Sequence, residues 1–140
     1  MTSYSTLPSS VSLEEVACLY EAVNFGKAEQ YVRDPSLLAH LFGPGVFGGF
    51  ARDPEGKLIG MVRAFSDDRI CTWVCEVCVV PSSQRQSVGT ALVKLVLDRY
   101  AHTAIYAEAF EGQETFFEQL GIKARPQLVA CSRAPLTLSA

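Results

Sequence analysis

Val77-Cys78-Val79-Val80-Pro81-Ser82-Ser83-Gln84-Arg85-Gln86-Ser87-Val88-Gly89-Thr90-Ala91-Leu92 is the stretch on which the reading of this chain turns. An apolar strand stops at Pro81, a small polar loop follows, and a helix begins near Gln84 and runs to about Tyr100. The first backbone N–H groups of a helix have no internal acceptor, and the helix dipole adds partial positive charge there. Small side chains let an anion come close to those groups. The stretch is therefore either an ordinary strand-to-helix turn or a phosphate cradle, and spacing alone does not separate the two.

Upstream, Ile70 to Val80 is a long β-branched and aromatic run, which predicts a buried central strand. Val46 to Ala51 and Leu58 to Phe65 predict a hairpin across the turn Asp53-Pro54-Glu55-Gly56, and Ser66-Asp67-Asp68 turns the chain again. Gly43-Pro44-Gly45 ends a short helix opened by Asp34-Pro35, with Leu37, Leu38 and Leu41 on its face. Ser12-Leu13-Glu14-Glu15 matches a capping box, and Leu13, Val16, Leu19, Tyr20 and Val23 follow at helical spacing before Asn24-Phe25-Gly26. Thr2 to Leu7 is a candidate edge strand.

Downstream, Val88, Ala91, Leu92, Leu95, Val96 and Arg99 form one helical stripe, broadened by Val93 and Leu97. Ala104 to Phe110 predicts another strand, Glu114 to Leu120 a short helix stopped by Gly121, and Ile122 to Leu138 one or two closing strands. The predicted order, β-α-α-β-β-β-α-β-α-β, is a mixed α+β sheet with helices on its faces. With 140 residues, no repeat and no low-complexity linker, residues 1–140 are expected to form one domain.

Composition narrows the function. Apolar residues make up 49% of the chain, enough for one core, and the net charge is −3 with no run of Lys or Arg. A nucleic-acid or anionic-membrane partner needs a positive patch and is not expected. No apolar run approaches the roughly 20 residues that span a bilayer, and the polar start from Met1 to Ser12 does not resemble a secretory signal. Five cysteines, three of them at Cys71, Cys75 and Cys78, fit free thiols in a cytoplasmic location.

Taken together, these segments resemble the GNAT superfamily of N-acetyltransferases. The family signature is a strand ending in V-x-P, then Q/R-x-x-G-x-G/A, then a helix with A-L near its start. Here it reads Val79-Val80-Pro81, Gln84 to Gly89, and Ala91-Leu92, with Ser87 in place of the first glycine. A second family element, F-Y-x-x-L-G-F, reads Phe116-Phe117-Glu118-Gln119-Leu120-Gly121-Ile122. The stretch Lys57 to Asp67 is similar to a form found in bacterial GNAT proteins and in plant serotonin N-acetyltransferases. The likeness covers residues 44 to 122 well and the N-terminal helices loosely.

The resemblance implies the GNAT acyl-CoA N-acyltransferase fold, with a bulged central strand splayed from its neighbour. It implies acetyl-CoA as co-substrate, its pantetheine arm on the backbone of Val77, Cys78 and Val79. The pyrophosphate would take the N–H groups of Arg85, Gln86, Ser87, Val88, Gly89 and Thr90, with Gln84 opening the loop and Phe117 at the thioester end. The acceptor would be a primary amine of a small molecule or peptide. A homodimer is consistent with the family.

A protonated amine, with a pKa of about 10.4 for a lysine type, must lose a proton before it attacks a thioester. Glu76, the one charged residue inside an apolar strand, is the first candidate base, and it also matches an acidic position of the family. Glu108 on the next strand is the second. The alternative for Glu76 is a structural pair with an arginine such as Arg63. Family members protonate the leaving thiolate with a tyrosine where this chain has Phe117. That departure, with Ser87, keeps a second function open: a catalytically weak GNAT-like acyl-CoA-binding module or regulatory subunit.

Other features read as structure. Cys75 and Cys78 lie three apart on a strand and point to opposite faces, and neither His40 nor His102 stands at ligand spacing to them, so no metal is expected. Gly43-Pro44-Gly45 and Gly48-Gly49 read as turn and packing features. Trp73, Phe25 and Tyr31 are candidates for either core or acceptor pocket.

Overall fold

The computed structural model describes residues 1–136. Its elements are β1 (Ser3–Ser5), α1 (Leu13–Ala22), α2 (Ala28–Val32), α3 (Leu37–Leu41), β2 (Val46–Arg52), β3 (Leu58–Ser66), β4 (Cys71–Val79), α4 (Val88–Arg99), β5 (Ala104–Ala107) and α5 (Glu114–Glu118). One five-stranded sheet runs in the order β1-β2-β3-β4-β5. Neighbours are antiparallel except β4 and β5, which are parallel and joined through the crossover helix α4. This is the expected α+β GNAT architecture.

Adjacent glycines of β2 show what lies on each face. A Cβ on Gly49 would meet Val62, Leu95 and Leu92, so that face carries α4. A Cβ on Gly48 would meet Phe42 and Phe50, so the opposite face carries the end of α3. From α4, Val88, Leu92, Val93 and Val96 are buried; from α1, Val16, Ala17, Leu19 and Tyr20 are buried. The two apolar stripes close the core over β3 and β4.

The start of α1 is fixed twice. Glu15 Oε2 accepts from the Ser12 N–H at 3.0 Å, and the Ser12 hydroxyl accepts from the Glu15 N–H at 3.2 Å, completing the capping box. Arg52 at the end of β2 then donates to both carboxylate oxygens of Glu15, each at 2.9 Å, in a bidentate pair. Arg52 holds the Glu15 carboxyl below the usual carboxylate range.

The structure departs from the sequence expectations in four places. A helix absent from the predicted order, α2, follows Gly26; its first N–H groups at Lys27 and Ala28 are taken by the side chains of Gln30 and Glu21. The helix expected from Gln84 starts only at Val88, because Arg85 (φ 62°) and Ser87 (φ 65°) adopt left-handed backbone that no α-helix propagates. The strand expected to reach Phe110 ends at Ala107, where β5 loses its partner.

Lastly, Ile122 to Leu136 forms no strand among the described residues, and the rest of that expected segment lies outside them. Pro126 and Pro135 remove ladder donors, and the Leu128 N–H closes a turn onto Arg125 O instead. The segment passes along the open side of β5 and bounds a groove of about 850 Å³ with it. Gly121 (φ 83°) does end α5 as expected, with its N–H on Glu118 O.

The tight seam at Gly48 yields a stability prediction. A Cβ there would lie 2.7 Å from Phe42 Cε1 and 2.9 Å from Phe50 Cζ, and Phe50 is itself fully buried. Gly48→Ala should cost about 1–3 kcal/mol by overpacking. Urea denaturation should show a lower midpoint with an unchanged slope; an unchanged midpoint would mean that Phe42 moves aside freely.

Candidate active site

Strand β4 decides the geometry of the cleft. It pairs with β3 from Gly60↔Val79 to Arg63↔Glu76, then from Ala64↔Val74 to Ser66↔Thr72, which leaves Cys75 as the extra residue of a β-bulge. The bulge changes which side chains share a face. Trp73 stacks on Phe65, at a ring distance of 5.7 Å and 18° between planes, and so lies on the face that also carries Arg63. Without the extra residue, Cys75 and Val77 would continue that face. With it, Glu76 and Cys78 do, while Val77 and Val79 turn to the α4 face.

Glu76 meets Arg63 there. Arg63 Nε donates to Glu76 Oε1 at 2.5 Å, and Arg63 Nη1 donates to the Leu41 carbonyl at the end of α3 at 3.0 Å. The side chains are only 15% and 12% exposed. The arginine pairing considered from sequence is therefore present. The Cys78 thiol donates to Glu76 Oε2 at 3.7 Å, and the Cys75 thiol donates to the Arg63 carbonyl at 3.3 Å. Burial, followed by the Glu76 charge, pushes the Tyr20 hydroxyl on α1 far above its ordinary range. Burial pushes Cys75 up to about 11 and raises Cys78 as well, so neither supplies a thiolate nucleophile near neutral pH.

On its other side β4 pairs with β5 only from Cys71↔Ala104 to Val74↔Ala107. Beyond that rung the strands diverge, and among the described residues no strand pairs with the backbone of Glu76 to Val79 on its β5 side. A cleft of about 600 Å³ opens in the fork, within the range of small-molecule sites. Its walls include Glu76, Val77 and Val79 of β4, Glu108 and Phe110 after β5, and Phe116 and Phe117 of α5. Phe25, in the turn between α1 and α2, closes one side. Gln84, Arg85, Ser87, Val88, Gly89 and Thr90 close another.

That last wall has the properties of an anion cradle. The first N–H of the region to find a helical acceptor is that of Ala91, on Ser87 O at 3.0 Å. The donors of Val88, Gly89 and Thr90 precede it, Ser87 makes no side-chain cap, and no acidic residue stands in the first turn of α4. Gln84 braces the loop by donating through Nε2 to Val79 O at 3.0 Å. Phe116 covers Gly89, where a Cβ would lie 3.4 Å from its ring.

The sequence-derived residues thus gather unevenly. Glu76 and Glu108 line one cleft, with Val77, Val79, Gln84, Arg85, Ser87, Val88, Gly89, Thr90 and Phe117. The Cys78 side chain is buried away from it, and Gln86 lies outside the lining and donates to Ser82 O at 3.4 Å. Trp73 is 39% exposed outside this cleft, whereas Phe25 lines it. Arg63 was read from sequence only as a partner for Glu76, and its link to Leu41 had no sequence signal, since it joins positions 22 residues apart. No group of His, Cys, Asp and Glu able to hold a metal ion occurs among the described residues.

Comparison with known proteins follows the same lines. A family model described as "Acetyltransferase (GNAT) family" matches residues 13–122. A GNAT family acetyltransferase from Streptococcus pneumoniae is 22% identical, with a TM-score of 0.69 over 96% of this chain and 100% of its own. An aminoglycoside acetyltransferase from an uncultured soil metagenomic sample is 19% identical, with a TM-score of 0.72 over 98% and 99%. An acetyltransferase from Trypanosoma brucei is 15% identical, with a TM-score of 0.65 over 95% and 100%. At these identities the structures attest the fold. A search of curated protein sequences finds no match.

The left-handed backbone at Ser87 is strained for any residue with a Cβ, and glycine adopts it freely. Ser87→Gly should therefore stabilise the fold by about 1 kcal/mol and keep or tighten coenzyme A affinity in calorimetry. Clear weakening would identify the Ser87 hydroxyl as a phosphate ligand in its own right.

Proposed function

The chain belongs to the GNAT acetyltransferase family, and from that premise we propose that it is an N-acetyltransferase carrying acetyl groups from acetyl-CoA to a primary amine of a small molecule or peptide. The observation that carries this reading is the fork between β4 and β5, which ends at unpartnered N–H groups of α4. A pantetheine arm can pair as an added strand with the open edge from Val77 to Val79, where Gln84 already holds the Val79 carbonyl. A pyrophosphate can take the donors from Arg85 to Thr90, among them those of Gln86 and Ser87. On this reading the thioester lies near Glu76, Phe116 and Phe117, which line the same cleft, and the reaction calls for no metal. The reading treats residues 1–140 as one GNAT domain, cytoplasmic, acting apart from nucleic acid and membrane, and compatible with a homodimer.

In this reading Glu76, directly or through one water, takes a proton from the substrate ammonium. The amine nitrogen attacks the thioester carbonyl carbon, the C–N bond forms, and collapse of the tetrahedral adduct breaks the C–S bond. The nitrogen gives up its second proton and the thiolate gains one, so amide and free thiol leave in balance. Glu108 makes no ion pair among the described residues and is the second carboxylate available for the first step. Phe117 has no proton to give, so the thiolate takes one from water. One structural neighbour is named an aminoglycoside acetyltransferase, which supports an amine acceptor in general; polyamine, aromatic, amino-acid and peptide amines fit the cleft chemistry equally.

A second reading, an acyl-CoA-binding module with little turnover, is favoured by Phe117 and by the capture of Glu76 in an ion pair. Thiol release measured across an amine panel separates the two, because only the enzyme frees coenzyme A.

Acetyl-CoA at 100 times its dissociation constant should stabilise the protein by about 2.7 kcal/mol, raising Tm. A flat thermal-shift titration to millimolar acetyl-CoA contradicts both readings. Glu76→Gln should lower kcat about a hundredfold or more at neutral pH while acetyl-CoA affinity stays within about twofold. Retained activity moves the base to Glu108. Phe117→Tyr should raise kcat about tenfold, with the gain fading below neutral pH where solvent protons suffice. An unchanged pH profile shows that thiolate departure needs no donor.

A further inference from the structure

We infer that Arg63 is a positioning residue for acetyl transfer, fixing the Glu76 carboxylate at the fork of the cleft and joining it to the end of α3. The inference rests on the reading of Glu76 as the base. Its ground is that one guanidinium is held at both ends. Arg63 Nε reaches Glu76 Oε1 at 2.5 Å, and Arg63 Nη1 reaches the Leu41 carbonyl at 3.0 Å. The backbone of the same residue is held too, because the bulged Cys75 donates its thiol proton to the Arg63 carbonyl at 3.3 Å. The pair is largely shielded from water, so solvent competes little for either bond.

The geometry divides the carboxylate into two unlike oxygens. Oε1 is committed to Arg63. Among the described residues Oε2 receives the weak Cys78 thiol contact at 3.7 Å, and the Tyr20 hydroxyl also bears on the carboxylate; a carboxylate oxygen has lone pairs enough to accept these and still take a proton from the amine. A planar fork is what makes this division. A lysine in its place carries the charge but offers one rotatable ammonium, which cannot hold Oε1 and the Leu41 carbonyl in the same fixed relation. Arg63 touches neither substrate in this account. It acts through Glu76, and its removal is felt only while Glu76 is there to be oriented.

The test is a double-mutant cycle. Arg63→Lys is made in the native chain and in Glu76→Gln, and kcat and both KM values are measured with the most active amine of the panel. Arg63→Lys alone should lower kcat at least about fivefold, with KM for acetyl-CoA within about twofold. In Glu76→Gln it should change kcat less than about twofold, since coupled residues are not additive. Equal losses in the two backgrounds overturn the inference, because Arg63 then acts on something other than Glu76. No loss in the native chain, where Glu76→Gln does lower kcat, overturns it and leaves the base reading intact. A Glu76→Gln variant of full activity removes the base reading and this inference together. Should Arg63→Lys not fold, Arg63→Gln, still able to donate to Oε1, is put through the same cycle, with the same pattern expected and the same outcomes overturning it.

Discussion

Strand β4 must satisfy two neighbours that make incompatible demands. It pairs with β3 along its length, and it pairs with β5 only up to Val74. The bulge at Cys75 stands where those demands part. A bulge increases local twist and bends its strand, and the rungs shared with β5 end at the residue before it. The same extra residue turns Glu76 away from the α4 face and onto the face of Arg63. In the opposite register the carboxylate would face the apolar side of α4, where an unpaired charge costs several kcal/mol. Bulge, ion pair and cleft are therefore one arrangement. Removing one partner of a buried ion pair typically costs about 3–5 kcal/mol.

The cradle at α4 depends on a second constraint. Between Pro81 and Val88 the chain passes through a short 3-10 turn and then two left-handed residues, Arg85 and Ser87. This path delays the helix to Val88 and leaves its first N–H groups on the cleft wall rather than buried behind a longer first turn. Phe116 packs over Gly89 and sets α5 against that wall. Helix dipole, free donors and the absence of acidic side chains in the first turn act in the same direction. Affinity for a diphosphate accordingly depends on backbone path more than on any one side chain.

Where local chemistry decides structure, the sequence could be read. The capping box at Ser12 and Glu15, the hairpin across Asp53 to Gly56, the packing role of Gly48 and Gly49, and the stop at Gly121 all stand as expected. The misses lie where distant parts of the chain decide. Helix α2 depends on Glu21 reaching across to the Ala28 N–H. The start of α4 depends on backbone angles that Arg85 and Ser87 do not announce. The end of β5 depends on where β4 turns away, and the prolines of the last segment outweigh its apolar alternation. The lone carboxylate of Glu76 and the alternative of its pair with Arg63 were both visible, but not the bulge at Cys75 that brings them onto one face, because placing that extra residue needs the register of β3. The family match supports acetyl transfer in general.

The central claim is that the fork of β4 and β5 and the first turn of α4 form one acetyl-CoA site. Amide hydrogen exchange of the protein with and without acetyl-CoA addresses it residue by residue. The account predicts slowed exchange at Ser87, Val88, Gly89 and Thr90 together with Val77 and Val79, since these donors pass from solvent to ligand. Protection confined to the far groove beside β5 and Ile122 to Ala130, or no protection at the α4 donors at saturating ligand, would contradict it.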